Sequence, residues 1–274
     1  MAAQDDSPEN IQKNKLAQPH DLSEILEKVR RRTPARLLEG RSGASYRTNT
    51  QLKLREAHAA ARDAVRAQLN PFTDYGEFVR KWNLFEVCSQ AGSKNEYILR
   101  PDLGRSLNNA SRAEVKKRCT AAADFQIVIG DGLSVTAVAT QVPQLLPLLD
   151  EAAQCRHWSL GSIFVVRYCR VGILNEIGEL LRPQVAVLLI GERPGLATAE
   201  SLSAYMAYRP KASDTDANRN LISNIHARGV SVKHAARRIE NLAAAMMKMG
   251  NSGYQLRENL KAEIPETVRG EEKR

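Results

Sequence analysis

Aromatic residues are scarce in this chain. They fill 5% of its 274 positions, and none falls between Val29 and Ala44, inside the most basic stretch. That scarcity removes the stacking platform on which single-stranded nucleic acids bind. Long apolar runs are also missing: the longest clean one, Val185 to Ile190, is far short of the ~20 residues a membrane helix needs. The opening residues, MAAQDDSPENIQKNK, are polar and partly acidic, so no secretory leader with an apolar core is expected. Cysteine is sparse too. Cys88, Cys119, Cys155 and Cys169 form no CxxC pair and have no histidine at zinc spacing. Reduced, mostly buried thiols are therefore expected, with neither a disulfide framework nor a metal site.

What is present reads as an ordinary folded protein. The chain is 43% hydrophobic and 26% charged, enough for a full core in one large domain or in a main domain with a smaller lobe. Forty basic against thirty-one acidic side chains leave a net charge of +9. The excess is uneven: residues 1–26 sum to −3 and residues 27–66 to +7. Arg30, Arg31, Arg32, Arg36 and Arg41 dominate the second stretch. A nucleic-acid or anionic-lipid patch is one reading. No zinc-finger or RNA-recognition signature accompanies the run, so docking on an acidic protein partner is preferred, with a solvated surface as the plain alternative.

Hydrophobic periodicity divides the chain into a tail (1–20), a mainly helical lobe (21–120), an α/β domain (121–255) and a polar C-terminal tail (256–274). Leu22, Ile25, Leu26 and Val29 lie on one helical stripe. A second helix is predicted from Thr50 to Leu69, ended by Asn70-Pro71. LFEVCSQ and EYILR form either a hairpin about Ala91–Ser93 or a strand and a helix, and SRAEVKKRCTAAA holds a short helix. No convincing parallel strand is read before Phe125. From there FQIVIG, SIFVVRYC, QVAVLLIG and LSAYMAY read as strands separated by helices, the first helix interrupted near Pro143 and Pro147. A long amphipathic helix with Val232, Ala235, Ile239, Leu242, Met246 and Met249 on one side closes the pattern. The fold class is α/β: a Rossmann-like parallel sheet covered by helices.

Ligands in such sheets sit beyond the carboxyl ends of the strands. Three ends are legible: Gly130–Ser134, Tyr168–Val171 and Gly191–Gly195. GDGLS lacks the third glycine of a dinucleotide fingerprint, and no Walker motif occurs. Asp131 is explained almost as well by a helix N-terminus as by a ligand. The Glu192-Arg193 pair at the end of a buried strand is harder to explain as a mere turn. The five histidines (His20, His58, His157, His226 and His234) belong to no catalytic motif, and no catalytic residue is assigned.

Taken in order, TPAR (33–36), RPDLGR (100–105), DGLS (131–134), GERPGL (191–196), SLSAY (201–205) and NLISNIH (220–226) resemble the small subunit of ethanolamine ammonia-lyase over about residues 22–250. The resemblance implies an adenosylcobalamin-dependent lyase that converts ethanolamine to acetaldehyde and ammonia. In that family a large TIM-barrel subunit holds the substrate, the small subunit covers the cobalamin, and several subunit pairs assemble into a hetero-oligomer. It implies residence in the cytoplasm, inside a bacterial microcompartment or outside one. The family's cobalamin contacts carry over to Val171, Glu192 and Leu221, the last replacing a common cysteine. Asn224–Gly229 also reads NxHxxG, one residue from the DxHxxG of histidine-on-cobalt proteins. The resemblance argues against that role, because cobalamin in this family keeps its own base, and leaves His226 as a loop or interface residue. The competing readings are an autonomous nucleotide-binding enzyme and a nucleic-acid-binding module using segment 27–66.

Overall fold

A computed structural model describes residues 19–33, 35–67 and 76–258. It divides into two units, residues 1–51 and 52–274. In the first, helix α1 (Pro19–Arg32) ends on Arg30, Arg31 and Arg32, cations that favour the negative end of a helix dipole. Arg30 donates to the carbonyls of Leu37 (3.2 Å) and Leu38 (2.7 Å), and Arg31 pairs with Glu27 one turn back at 2.6 Å. Part of the basic run is therefore committed within its own unit. Two short antiparallel strands follow, β1 (Arg41–Ser42) and β2 (Ser45–Tyr46).

Helix α2 (Thr48–Arg66) matches the second predicted helix. Leu69 and the Asn70-Pro71 stop lie outside the described residues, as do the polar tail before residue 19 and the chain after residue 258. Helix α3 (Gly76–Lys81) leads into β3 (Phe85–Cys88), α4 (Lys94–Leu99) and α5 (Asn109–Arg118). Of the two readings left open for residues 84–100, strand then helix is the one formed. Ser93 caps α4 by accepting the Glu96 N–H at 3.2 Å, while the Glu96 carboxylate accepts the Gly92 N–H at 2.7 Å. This exchange favours helix entry over a hairpin turn.

The main sheet has the order β3-β5-β4-β6-β7-β8, with β4 (Phe125–Gly130), β5 (Phe164–Arg167), β6 (Val185–Gly191), β7 (Leu202–Tyr208) and β8 (Asn220–Ile225). β3, β5, β4 and β6 run parallel. The sequence held no convincing parallel strand before Phe125, yet β3 is one. It is a four-residue edge strand of alternating burial, and its inter-strand ion pair, Glu86 with Arg167 at 3.1 Å, disguises its strand character. β7 and β8 are antiparallel, so the sheet is mixed. The link from Gly191 to Leu202 contains no helix, and without a crossover the chain must return antiparallel.

β4 and β6 are buried at every residue, because helices cover both faces. Alternate residues serve the two layers. Ile127, Ile129, Val187 and Leu189 pack with α6 (Val135–Cys155) and α8 (Val232–Met249). Val128, Leu188 and Ile190 pack with α7 (Ile173–Leu181) and with Val115 of α5. Helix α6 runs through Pro143 and Pro147 without the interruption expected at these residues. Its buried face of Val138, Val142, Leu145, Leu146 and Leu149 offsets the two missing N–H donors. Met249, expected on the core stripe of α8, is 59% exposed at the helix end.

All four cysteines are free: Cys169 is buried, Cys88 and Cys119 are half-buried, and Cys155 is exposed. Burial pushes the Cys88 thiol up and the Cys119 thiol up to about 11. The thiolate is the reacting species, so a disulfide reagent at pH 8 should modify Cys155 first, Cys88 and Cys119 slowly, and Cys169 only after denaturation. Peptide mass mapping checks the order. Labelling of Cys169 in the folded chain as fast as Cys155 would contradict this packing.

Candidate functional site

The connection after β4 leads to β5 on one side of it, and the connection after β6 leads to β7 on the other. Diverging connections open a crevice between β4 and β6 at their carboxyl ends. A cavity of about 350 Å³ lies there, lined by Gly132 after β4 and by Gly191 and Glu192 at the end of β6. Val171 and Leu221 line the same cavity. The three residues that the resemblance assigns to cobalamin, drawn from three separate segments, thus meet at one place.

Each arrives by a different route. Val171 precedes α7 and is half-buried; Leu221 sits on β8, 44% exposed, opposite Tyr205 of β7. Glu192 is held by neutral donors. The Ser201 and Ser203 hydroxyls donate to its two oxygens at 2.6 Å each, and the Asn224 N–H donates at 2.9 Å. An ionised carboxylate offers about four acceptor positions, so one remains on the oxygen facing Ser201. Tyr205 stands nearby, its phenol pushed up by burial and by the Glu192 charge. Period-two spacing explains why Ser203 and Tyr205 of β7, and Leu221 and Ser223 of β8, all line this cavity.

Beneath the cavity lies a buried polar framework that sequence reasoning missed. Asp131 does not cap the helix that follows it; Ser134 does, accepting the Ala137 N–H at 3.1 Å. The Asp131 oxygens instead accept the backbone N–H groups of Tyr168 (2.8 Å) and Cys169 (2.9 Å). The end of β4 thereby grips the segment after β5. Burial pushes the Asp131 carboxyl up, opposed first by the Lys94 charge and then by its N–H donors. Lys94, itself buried, donates to the Gly132 carbonyl at 3.2 Å, and burial lowers its pKa. Tyr97 is fully buried and donates its hydroxyl to the Cys169 carbonyl at 3.0 Å. Its ring lies 5.0 Å from the Lys94 ammonium and 4.2 Å from the Arg170 guanidinium carbon, a double cation–π contact.

A second, larger cavity of about 1000 Å³ adjoins the first and shares Arg170, Val171, Tyr205 and Leu221 with it. His226 lines neither. It is buried in its own loop, with Nε2 2.7 Å from Asn224 Oδ1 and Nδ1 accepting the Arg228 N–H at 3.3 Å. Both ring nitrogens are occupied, which agrees with its reading as a loop residue.

Truncating Asp131 to Ala should strand two buried N–H groups at a cost of about 1–3 kcal/mol each. Urea denaturation of the variant should show a loss of about 2–6 kcal/mol, the sum over the two groups, and stability within error of wild type would refute the framework.

Comparison with known proteins places this geometry in a family. Residues 23–257 match the family model described as ethanolamine ammonia-lyase light chain (EutC). An ethanolamine ammonia-lyase small subunit from Clostridium perfringens is 40% identical over 240 residues, covering 87% of this chain and 79% of that protein. One from Clostridium acetobutylicum is 38% identical, covering 85% and 95%. One from Listeria monocytogenes is 37% identical, covering 84% and 77%. With the matched segment spanning both cavities and every strand of the main sheet, the chain belongs to the ethanolamine ammonia-lyase small-subunit family.

Proposed function

We propose that this chain clamps adenosylcobalamin against a large TIM-barrel subunit that carries the substrate, as the small subunit of an ethanolamine ammonia-lyase hetero-oligomer. The observation that carries this reading is the convergence of Val171, Glu192 and Leu221 on one crevice at the switch point of the sheet. The donor set fits a corrin. Val171 and Leu221 offer an apolar surface to the macrocycle, and Glu192 keeps one acceptor position for a peripheral amide N–H. Among the described residues no group of three His, Cys, Asp or Glu side chains is placed to hold a metal ion, and a corrin brings its own cobalt ligands.

When bound, adenosylcobalamin supplies a cobalt–carbon bond whose homolysis starts radical chemistry on the substrate. This chain's residues bind, orient and exclude water. Glu192, fixed by three donors, presents its remaining lone pair in one direction, so its contact is set before binding and loses little freedom on it. Leu221 in place of cysteine keeps the packing contact and gives up a sulfur. Among the described residues no helix is long and apolar enough to cross a membrane, and we place the protein in the cytoplasm, within a microcompartment or outside one.

Glu192→Ala in the assembled two-subunit enzyme should weaken cobalamin affinity about tenfold or more, the scale of a charged hydrogen bond. Equilibrium dialysis with cyanocobalamin measures this, and a thermal melt checks that the stranded Ser201 and Ser203 hydroxyls have not unfolded the variant. Unchanged affinity would remove Glu192 from the site.

The basic segment 27–66 is proposed to dock on the large subunit or between neighbouring subunit pairs. Deleting residues 1–45 should reduce co-purification of the two subunits; assembly at wild-type yield would refute that placement.

A further inference from the structure

Lys94 is a costly residue where it stands. It is 6% exposed, and taking an ammonium out of water is unfavourable unless something compensates the charge. Its bond to the Gly132 carbonyl, at 3.2 Å, asks only for an N–H, which an uncharged side chain could also supply. What an uncharged side chain could not supply is an electrostatic partner for the residue just before that carbonyl. Asp131 is 2% exposed, and its oxygens are bonded to the Tyr168 and Cys169 N–H groups rather than to the ammonium. Burial pushes the Asp131 carboxyl up, and the Lys94 charge is the largest influence holding it down. The relation is mutual: burial lowers the Lys94 pKa, and Asp131 is the influence that raises it. The other groups facing the pair are Tyr97 on α4, Cys88 at the end of β3, and Cys169 and Arg170 after β5. Burial pushes Tyr97, Cys88 and Cys169 up, so all three are neutral at neutral pH. Arg170 adds a second positive charge, which leaves Asp131 as the anion that keeps Lys94 protonated.

The two walls of the smaller cavity are tied together at this pair. On one side, Asp131 grips the backbone of Tyr168 and Cys169, and Arg170 and Val171 follow directly on the cavity wall. On the other, Lys94 pins Gly132, whose φ of +59° and close packing admit no side chain, because a Cβ there would collide with the Gly191 carbonyl oxygen. The next N–H, that of Leu133, donates to the same carbonyl at 3.1 Å, and Glu192 follows Gly191. The Val171 wall and the Glu192 wall therefore depend on two adjacent residues, one carrying the negative charge and the other held by the positive one.

We propose that Lys94 is a positioning residue for the cofactor crevice: its buried charge keeps Asp131 ionised, and the ionised pair holds the Val171 and Glu192 walls in place for the corrin. The proposal rests on the clamp reading above. A protonated Asp131 offers fewer acceptor positions to its two N–H partners, so cobalamin affinity should fall as the pH drops through the Asp131 titration. Without the Lys94 charge, Asp131 takes up its proton at a higher pH, and the acid limb of the affinity profile moves up with it. A side chain that served only to fill space would leave that limb where it is.

Equilibrium dialysis of the assembled two-subunit enzyme with cyanocobalamin, repeated across pH, reads this profile. On the acid side Lys94→Met should bind about tenfold more weakly than wild type, the scale of one lost hydrogen bond, with its limb at higher pH. Asp131→Asn should bind weakly at every pH and lack the limb, and adding Lys94→Met to it should not move the profile further. Hydrogen–deuterium exchange of the peptide carrying Tyr168 and Cys169, corrected for the intrinsic effect of pH, follows the same charge with no cofactor present. Its protection should be lost at higher pH in Lys94→Met than in wild type. Lys94→Gln, equally uncharged, serves where Lys94→Met impairs assembly. A limb at the wild-type pH in the uncharged variant, or exchange unchanged from wild type, would overturn the positioning role and leave the clamp intact. Failure of the wild-type assembly to bind cyanocobalamin at any pH would overturn the clamp itself, and the positioning role with it.

Discussion

One buried carboxylate organises the ligand end of this protein. Asp131, directly after β4, holds the backbone N–H groups of Tyr168 and Cys169 beyond β5. The next two residues, Arg170 and Val171, line both cavities. Isolated, a carboxylate this deeply buried would be too expensive to ionise. Here it is met by peptide donors and by the nearby Lys94 charge, and Lys94 in turn ties the Gly132 carbonyl into the same framework. The rim residues thus inherit their positions from a buried network whose own Gly132, Tyr97 and Cys169 reach the cavity wall.

The opposite wall is built by different means. Glu192 leaves β6 and is caught by hydroxyls and an N–H from the antiparallel strands and the links beside them. The mixed sheet matters for this reason. A continued parallel pattern would have sent a helix after β6, and the return of β7 instead sets Ser203 and Tyr205 beside Glu192 and opposite β8. Half of the crevice is therefore parallel-sheet architecture and half is antiparallel.

Much of this was legible in the residues. The aliphatic runs of β4 and β6 could be nothing but doubly covered strands, and their small or acidic exits marked the rim. The antiparallel turn of β7 was not legible, because strand direction depends on where the chain can go rather than on the strand's own composition. β8 was missed because Asn220–Ile225 is an edge strand with exposed positions and two asparagines. Segment 93–99 did carry a signal, Ser93 and Glu96 at capping-box spacing, which favours helix at Lys94 and hence the burial of Lys94 and Tyr97. Arg170 packs over Gly104 and Arg105 over Gly172, which joins residues some 65 positions apart in the sequence. RPDLGR could be quoted as a motif, but its geometry is tertiary.

The neutral character of the donors on Glu192 has a consequence of its own. Hydroxyls and a peptide N–H steady the carboxylate without cancelling its charge, whereas the far chamber sets Glu176, Glu179, Asp214 and Asp216 beside Arg105, Arg170 and Arg219. The smaller chamber therefore holds one steadied carboxylate at the end of β6, and the larger one mixes charges of both signs. A guest is therefore oriented at the β6 end by contact with a single carboxylate, while its other end meets no field of one sign.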